Sequence, residues 1–148
     1  MKTKLLSTES TKIYALVFDK GDEVIAELQR FAQQEGLDSS HFTAIGAFRS
    51  AVLQYFNPEQ KAYEDIPVDQ QVEVLTLTGN VALDRDGIKI HAHVVIGLRD
   101  GSTRGGHLKE AYVFPTLEVI IEETPSYLRR RYDTETGLTL IDLDAGAG

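Results

Sequence analysis

The sequence contains no cysteine among its 148 residues. This single absence removes disulfide frameworks, thiolate zinc ribbons, iron–sulfur clusters and cysteine nucleophiles together. A transition metal would have to rest on imidazole and carboxylate, so the four histidines carry more weight than usual. Basic residues are few, 15 Lys plus Arg against 23 Asp plus Glu for a formal charge of -8. Such a balance argues against a protein that grips nucleic acid over its whole surface, because that mode neutralises several phosphates with Lys and Arg. Met1 to Ser10 (MKTKLLSTES) lacks an apolar stretch of the length a signal peptide or membrane span needs. The expectation is a soluble, cytoplasmic protein with no membrane partner. No repeat of 20 to 50 residues and no Pro, Gly or Ser linker interrupts the chain. At roughly 100 to 200 residues per domain it makes one domain with a single core.

What is present reads as one helix and many strands. Lys12–Phe18 is β-branched and aromatic, a strand pattern. Beyond Gly21, the residues Val24, Ile25, Leu28, Phe31 and Ala32 recur at helical spacing, with Asp22 and Glu23 in the first turn and Gly36 as a terminal cap. After Asp38, read as the cap of a short turn, strands are expected at Thr43–Asn57, Val72–Leu83, Ile88–Leu98, His107–Phe114 and Leu117–Glu123. Pro58, Pro67, Asp86-Gly87 and Asp100-Gly101 supply the turns. Leu138–Asp142 adds a possible last strand, and Ala145–Gly148 reads as a frayed end. Short connections favour antiparallel pairing with the amphipathic helix packed on the sheet, which is an α+β class.

Ile88–Leu98 is the most informative segment. Ile88, Ile90, Ala92, Val94, Ile96 and Leu98 alternate with a face carrying His91 and His93, broken only by Val95. With a period of two the histidines project together from the side opposite the core, their Cα atoms about 6.5 to 7 Å apart. Whether His107 joins them depends on the parity of the hairpin loop. A two-residue loop on Asp100-Gly101 sets His93 opposite Leu108, whereas a three-residue loop, or a bulge at Gly105-Gly106, sets it opposite His107. The second arrangement is the one expected. Three imidazoles on one face make a three-histidine site with a position left for water, substrate or another ligand; the competing reading is three unliganded surface histidines. His41 lies far away in sequence and reads as structural.

The stretch HAHVVIGLRDGSTRGGHL (His91–Leu108), with AIGAF (Ala44–Phe48), the Tyr63 region and EVLTLTGN (Glu73–Asn80), resembles the plants-and-prokaryotes-conserved (PPC) domain from about Thr11 to Asp142. Residues 1–10 would then be a lead-in and 143–148 a tail. The resemblance implies a compact antiparallel sheet with helix, a homotrimer, and a zinc-type site (zinc or another divalent metal) on His91, His93 and His107. Bacterial members of that family are often called DNA-binding proteins. No Arg-Gly-Arg-Pro AT-hook of the plant pattern occurs here. The implied fold is also similar to that of acetolactate decarboxylase, a zinc enzyme with three histidine ligands.

Three functions compete. One is a metal-binding module that takes a small molecule or a protein partner. Another is a zinc-dependent enzyme acting on a small oxo acid, with Glu118 as acid or base, Arg104 as anion clamp, and Glu73 or Glu110 as lesser candidates. Gly105 and Gly106 would let backbone approach a ligand, or make a plain turn or bulge. The third is DNA binding through Arg129, Arg130 and Arg131, with Tyr127 and Tyr132 as stacking surfaces. Asp133 and Glu135 follow directly and weaken the local field. Each acid and arginine has a plainer role as a solvated strand or loop residue.

Overall fold

A computed structural model of the chain describes residues 1–7, 11–124 and 129–142; Tyr127 and the tail at 143–148 lie outside them. The elements in order are β1 (Lys2–Ser7), β2 (Ile13–Phe18), α1 (Val24–Glu35), β3 (Ser39–Asn57), β4 (Ala62–Val68), β5 (Val72–Asp84), β6 (Gly87–Gly97), β7 (Thr103–Glu123), β8 (Arg130–Tyr132) and β9 (Thr139–Ile141). β3 pairs with β5, β5 with β6, β6 with β7 and β7 with β3, all antiparallel, so these four strands close on themselves. β1 and β2 extend the sheet beyond one side of β7, and β4 forms an edge beside β3. Closure leaves fewer unpaired strand edges exposed. The α+β reading with one amphipathic helix holds.

The helix starts two residues later than its charge pattern suggests. Glu23 is its N-cap rather than a first-turn residue, its carboxylate accepting from the Ile25 and Ala26 amides at 3.2 and 2.6 Å. The same carboxylate accepts from the Ala111 amide of β7 at 3.1 Å, which ties the helix start to the sheet. Gly36 ends the helix in the left-handed conformation, as its position implies. Val24, Leu28, Phe31 and Ala32 are buried, and α1 lies against β6 and β7. Inward residues of the closed strands, among them Phe42, Phe48, Leu53, Leu77, Val81, Ile96, Val113 and Leu117, complete one core.

Four expectations change. Asp38 caps no turn and leads directly into β3, which begins at Ser39. There Glu123 anchors the chain by accepting from the Asp38 and Ser39 amides at 3.1 and 3.2 Å and from the Ser40 hydroxyl. Pro67 lies inside β4, where it pairs with Val52; an edge strand tolerates a residue without an N–H, and the mostly exposed β4 has too little alternation to announce itself. Pro115 does not divide two strands, since β7 runs through it from Thr103 to Glu123. Lys2–Ser7 forms β1 against β2. Pro58 does occupy the β3–β4 turn, and the expected last strand appears as β9, paired with the unforeseen β8.

Candidate metal centre

The geometry begins with the β6–β7 hairpin. The Leu98 amide donates to the Ser102 carbonyl at 2.8 Å and the Gly101 amide donates to the Leu98 carbonyl at 2.9 Å. Arg99, Asp100 and Gly101 are therefore a three-residue loop. Gly101 has φ +83, the left-handed position such a loop requires. Asp100 steadies it by accepting from the Ser102 amide at 2.9 Å and the Ser102 hydroxyl at 2.6 Å. From this odd-length loop an uninterrupted register places His93 directly opposite His107. No bulge at Gly105-Gly106 is needed.

Ala92, Val94 and Ile96 face the core, so His91 and His93 stand on the other side of β6, as the alternation requires. The three imidazoles converge. His91 Nε2 and His93 Nε2 are 3.1 Å apart, and one ring nitrogen from each of the three histidines lies within 4.8 Å of the others. Ring centroids are separated by 5.0, 5.2 and 5.4 Å. Two nitrogens bound to one tetrahedral zinc would be about 3.3 Å apart for Zn–N bonds near 2.05 Å, close to the His91–His93 spacing.

Protonation favours the same chemistry. Burial, followed by the positive field of Arg130 and of the two other histidines, brings His91 down to about 4. Burial and His93 lower His107 as well. Both rings are thus neutral at pH 7, the form that ligates a metal. His107 Nδ1 is buried without a hydrogen-bond partner among the described residues. A buried ring nitrogen left unsatisfied is costly, and an ion or a hydrogen-bonding ligand that reached it would relieve that cost. On these grounds the residues fit a divalent metal.

A cavity of about 410 Å³ adjoins two of the three imidazoles, lined by Tyr63, Asp84, Lys89, His91, His107, Arg130 and the β8–β9 hairpin. Tyr63 stacks at 4.9 Å from His107. Asn80 pairs across the ladder with His91 and accepts from an Arg130 terminal nitrogen at 2.6 Å. None of Asp84, Lys89 and Arg130 could be assigned to this place from sequence spacing. They reach it from the end of β5, the start of β6 and a hairpin that folds back over both.

The other candidates do not gather here. Glu118 lies eleven positions from His107 along β7, where Val17 and Ile45 flank it on the neighbouring strands. Arg104 pairs with Ile96, so strand alternation aims it toward the opposite side of the sheet from His107, and its charge acts on Asp100 at the hairpin tip. Glu73 sits opposite Gly97, and Glu110 bonds Tyr112. Gly105 and Gly106 are absent from the described cavity wall. Gly106 serves strand approach instead: a Cβ there would lie 2.7 Å from the Gln54 carbonyl oxygen of β3. His41 is exposed on β3, 3.7 Å from Glu122. Arg129 pairs with Asp38 at 3.6 Å and Arg131 with Asp142 at 3.1 Å, while Arg130 is half-buried. Alternation along β8 therefore splits the basic run, and the acids that hold it are not the adjacent Asp133 and Glu135. Tyr132 is exposed on β8.

Comparison with known proteins matches the Plants and Prokaryotes Conserved (PCC) domain to residues 6–125. The chain is 34% identical to a metal-containing protein of Archaeoglobus fulgidus, with a TM-score of 0.83 over 93% of this chain and 98% of that one. It is 27% identical to a candidate DNA-binding protein of Bacteroides thetaiotaomicron, with a TM-score of 0.86 over 96% and 98%. A Staphylococcus aureus protein similar to alpha-acetolactate decarboxylase shares the fold alone, at 13% identity and a TM-score of 0.56, covering 85% of this chain and 55% of that one. Among curated proteins, the bifunctional protein GlmU of Synechococcus is 29% identical over 89% of this chain. The chain spans about a fifth of that relative's length, 20%. Among the described residues no helix is long and apolar enough to cross a membrane.

Proposed function

The chain belongs to the Plants and Prokaryotes Conserved domain family, and from that premise we propose that it is a zinc-binding domain protein, assembled as a homotrimer, whose three-histidine site takes a small molecule or a partner group. The observation that carries the reading is the convergence of His91, His93 and His107 within 4.8 Å. The metal-containing Archaeoglobus relative supports it. Zinc held by three imidazoles leaves a position for an oxygen or nitrogen ligand. The same arrangement accepts other divalent ions of similar preference, so zinc is the first metal to test rather than a consequence of geometry.

Self-association has support from the outer surface. Ile45, Leu75 and Ile120 are 60%, 51% and 47% exposed, with Val17 and Val95 beside them on neighbouring strands. Grouped apolar exposure of this kind marks a surface that is covered in the working assembly. The DNA-binding reading is carried by the name of the Bacteroides relative, and the arginine run adds little to it because Arg129 and Arg131 are ion-paired within the chain. The enzymatic reading draws no support within one chain from Glu118 and Arg104, which stand apart from the imidazoles. Asp84 is the carboxylate that lines the cavity.

The test is metal content. Untagged protein reconstituted with zinc and freed of excess should retain about one ion per chain, falling to near zero in His93→Ala and His107→Ala variants that keep the wild-type circular dichroism. Wild-type protein that emerges empty would refute the proposal.

A further inference from the structure

We propose that Arg130 is the anion-recognising residue of the site, and that its ligand is a small carboxylate held in the cavity between the guanidinium and the imidazoles. This deepens the metal-site reading and rests on it. The first support is the position of Arg130. Its terminal nitrogens donate to the Thr139 carbonyl at 2.8 Å and to Asn80 Oδ1 at 2.6 Å. Asn80 stands opposite His91 on the adjacent strand, and cross-strand neighbours of this kind lie about 5 Å apart. The guanidinium is thereby fixed beside the imidazoles by the two strands of the sheet and hairpin.

The second support is what Arg130 lacks. Both of those acceptors are neutral. Among the described residues no carboxylate comes within ion-pairing distance of it, in contrast to Arg129 and Arg131, and its Nε is buried without a partner. A guanidinium has five N–H donors, so donor capacity remains after the two observed bonds. Burial penalises its charge, and Asp84 offsets this only through its field.

The third support is the sign of the site. A cation beside a place built for a dication is unfavourable unless an anion lies between them. In a chain of net charge -8, the cavity wall carries two cations, Lys89 and Arg130, against one acid, Asp84. That excess is positive before any metal is added. The planar fork of arginine matches the two oxygens of a carboxylate, and a cavity of about 410 Å³ admits a short one.

Acetate, pyruvate and succinate are titrated calorimetrically into the zinc-loaded protein, with pyruvamide and inorganic phosphate as comparisons. At least one carboxylate should bind, and Arg130→Met should weaken it by roughly tenfold or more, as expected for loss of a hydrogen-bonded charge, with zinc content unchanged. Pyruvamide should bind weakly to both proteins. Thermal melting checks the fold; if the methionine variant is unfolded, Arg130→Lys, which keeps the charge and loses the fork, should show an intermediate loss. Equal affinities in wild type and variant, no binding of any of the three carboxylates, or preference for phosphate would overturn the proposal. Repeating the titration on metal-free protein separates the two readings. If zinc fails to bind but Arg130→Met still abolishes carboxylate binding, only the metal reading falls.

Discussion

Acidification should destabilise the metal-free protein in a window set by its half-buried histidines. His91 titrates near 6.5 when the chain is unfolded and at about 4 when folded, chiefly because burial disfavours the imidazolium. Between those values the unfolded state takes up a proton that the folded state refuses. The contribution to stability is thus complete above about pH 6.5 and is lost progressively as pH falls toward 4. At about 1.4 kcal/mol per unit the full shift would be near 3 kcal/mol. His91 is only half-buried, so solvent screening reduces this to about 1 to 2 kcal/mol. His107, lowered for the same main reason, adds in the same direction. The assay is urea unfolding of metal-free wild type and His91→Gln at pH 7.5, 6.5, 5.5 and 4.5. Carboxylate titrations common to both proteins cancel in the difference, leaving the glutamine variant with the shallower loss. Parallel curves for the two proteins would refute the assignment of a half-buried, neutral His91. Zinc at about a hundredfold excess over its dissociation constant should add roughly 2.7 kcal/mol at pH 7.5, and less at lower pH because protons compete for the same nitrogens.

Two further outcomes follow from the strand geometry. Gly106→Ala brings a Cβ to 2.7 Å from the Gln54 carbonyl, so β3 and β7 must separate; a loss of about 1 to 3 kcal/mol in chemical denaturation is expected, and wild-type stability would show that the strands yield without strain. Ile45→Asp places a charge on the most exposed part of the apolar outer surface and should shift the protein toward monomer in sedimentation velocity with its melting behaviour otherwise preserved, whereas an unchanged mass would remove that surface from the assembly.

Much of the candidate metal centre was legible in the sequence because its parts obey short-range rules. Alternation along Ile88–Leu98 decides which side His91 and His93 take, and the Arg99-Asp100-Gly101 loop decides the parity that brings His107 to them. The helix was equally readable from its periodicity and its terminal glycine. The edge strand β4 was not, because it is exposed along most of its length and has no core to impose alternation.

The surroundings of the imidazoles belong to the tertiary structure alone. Arg104 is close to His107 in sequence, yet three positions along a strand reverse the face, and Glu118 shares β7 but lies far along it. Arg130, read from sequence as one of three basic residues for DNA, reaches the cavity because the β8–β9 hairpin folds back over β5 and sets it against Asn80. Spacing within a strand fixes side-chain direction through backbone geometry, so the sequence by itself determined the face that His91 and His93 share and left His107 to the parity of one loop. Which distant segments close over that face depends on how the whole chain packs, and only the folded structure decided that they bring Tyr63, Asp84 and an arginine that has no carboxylate partner among the described residues.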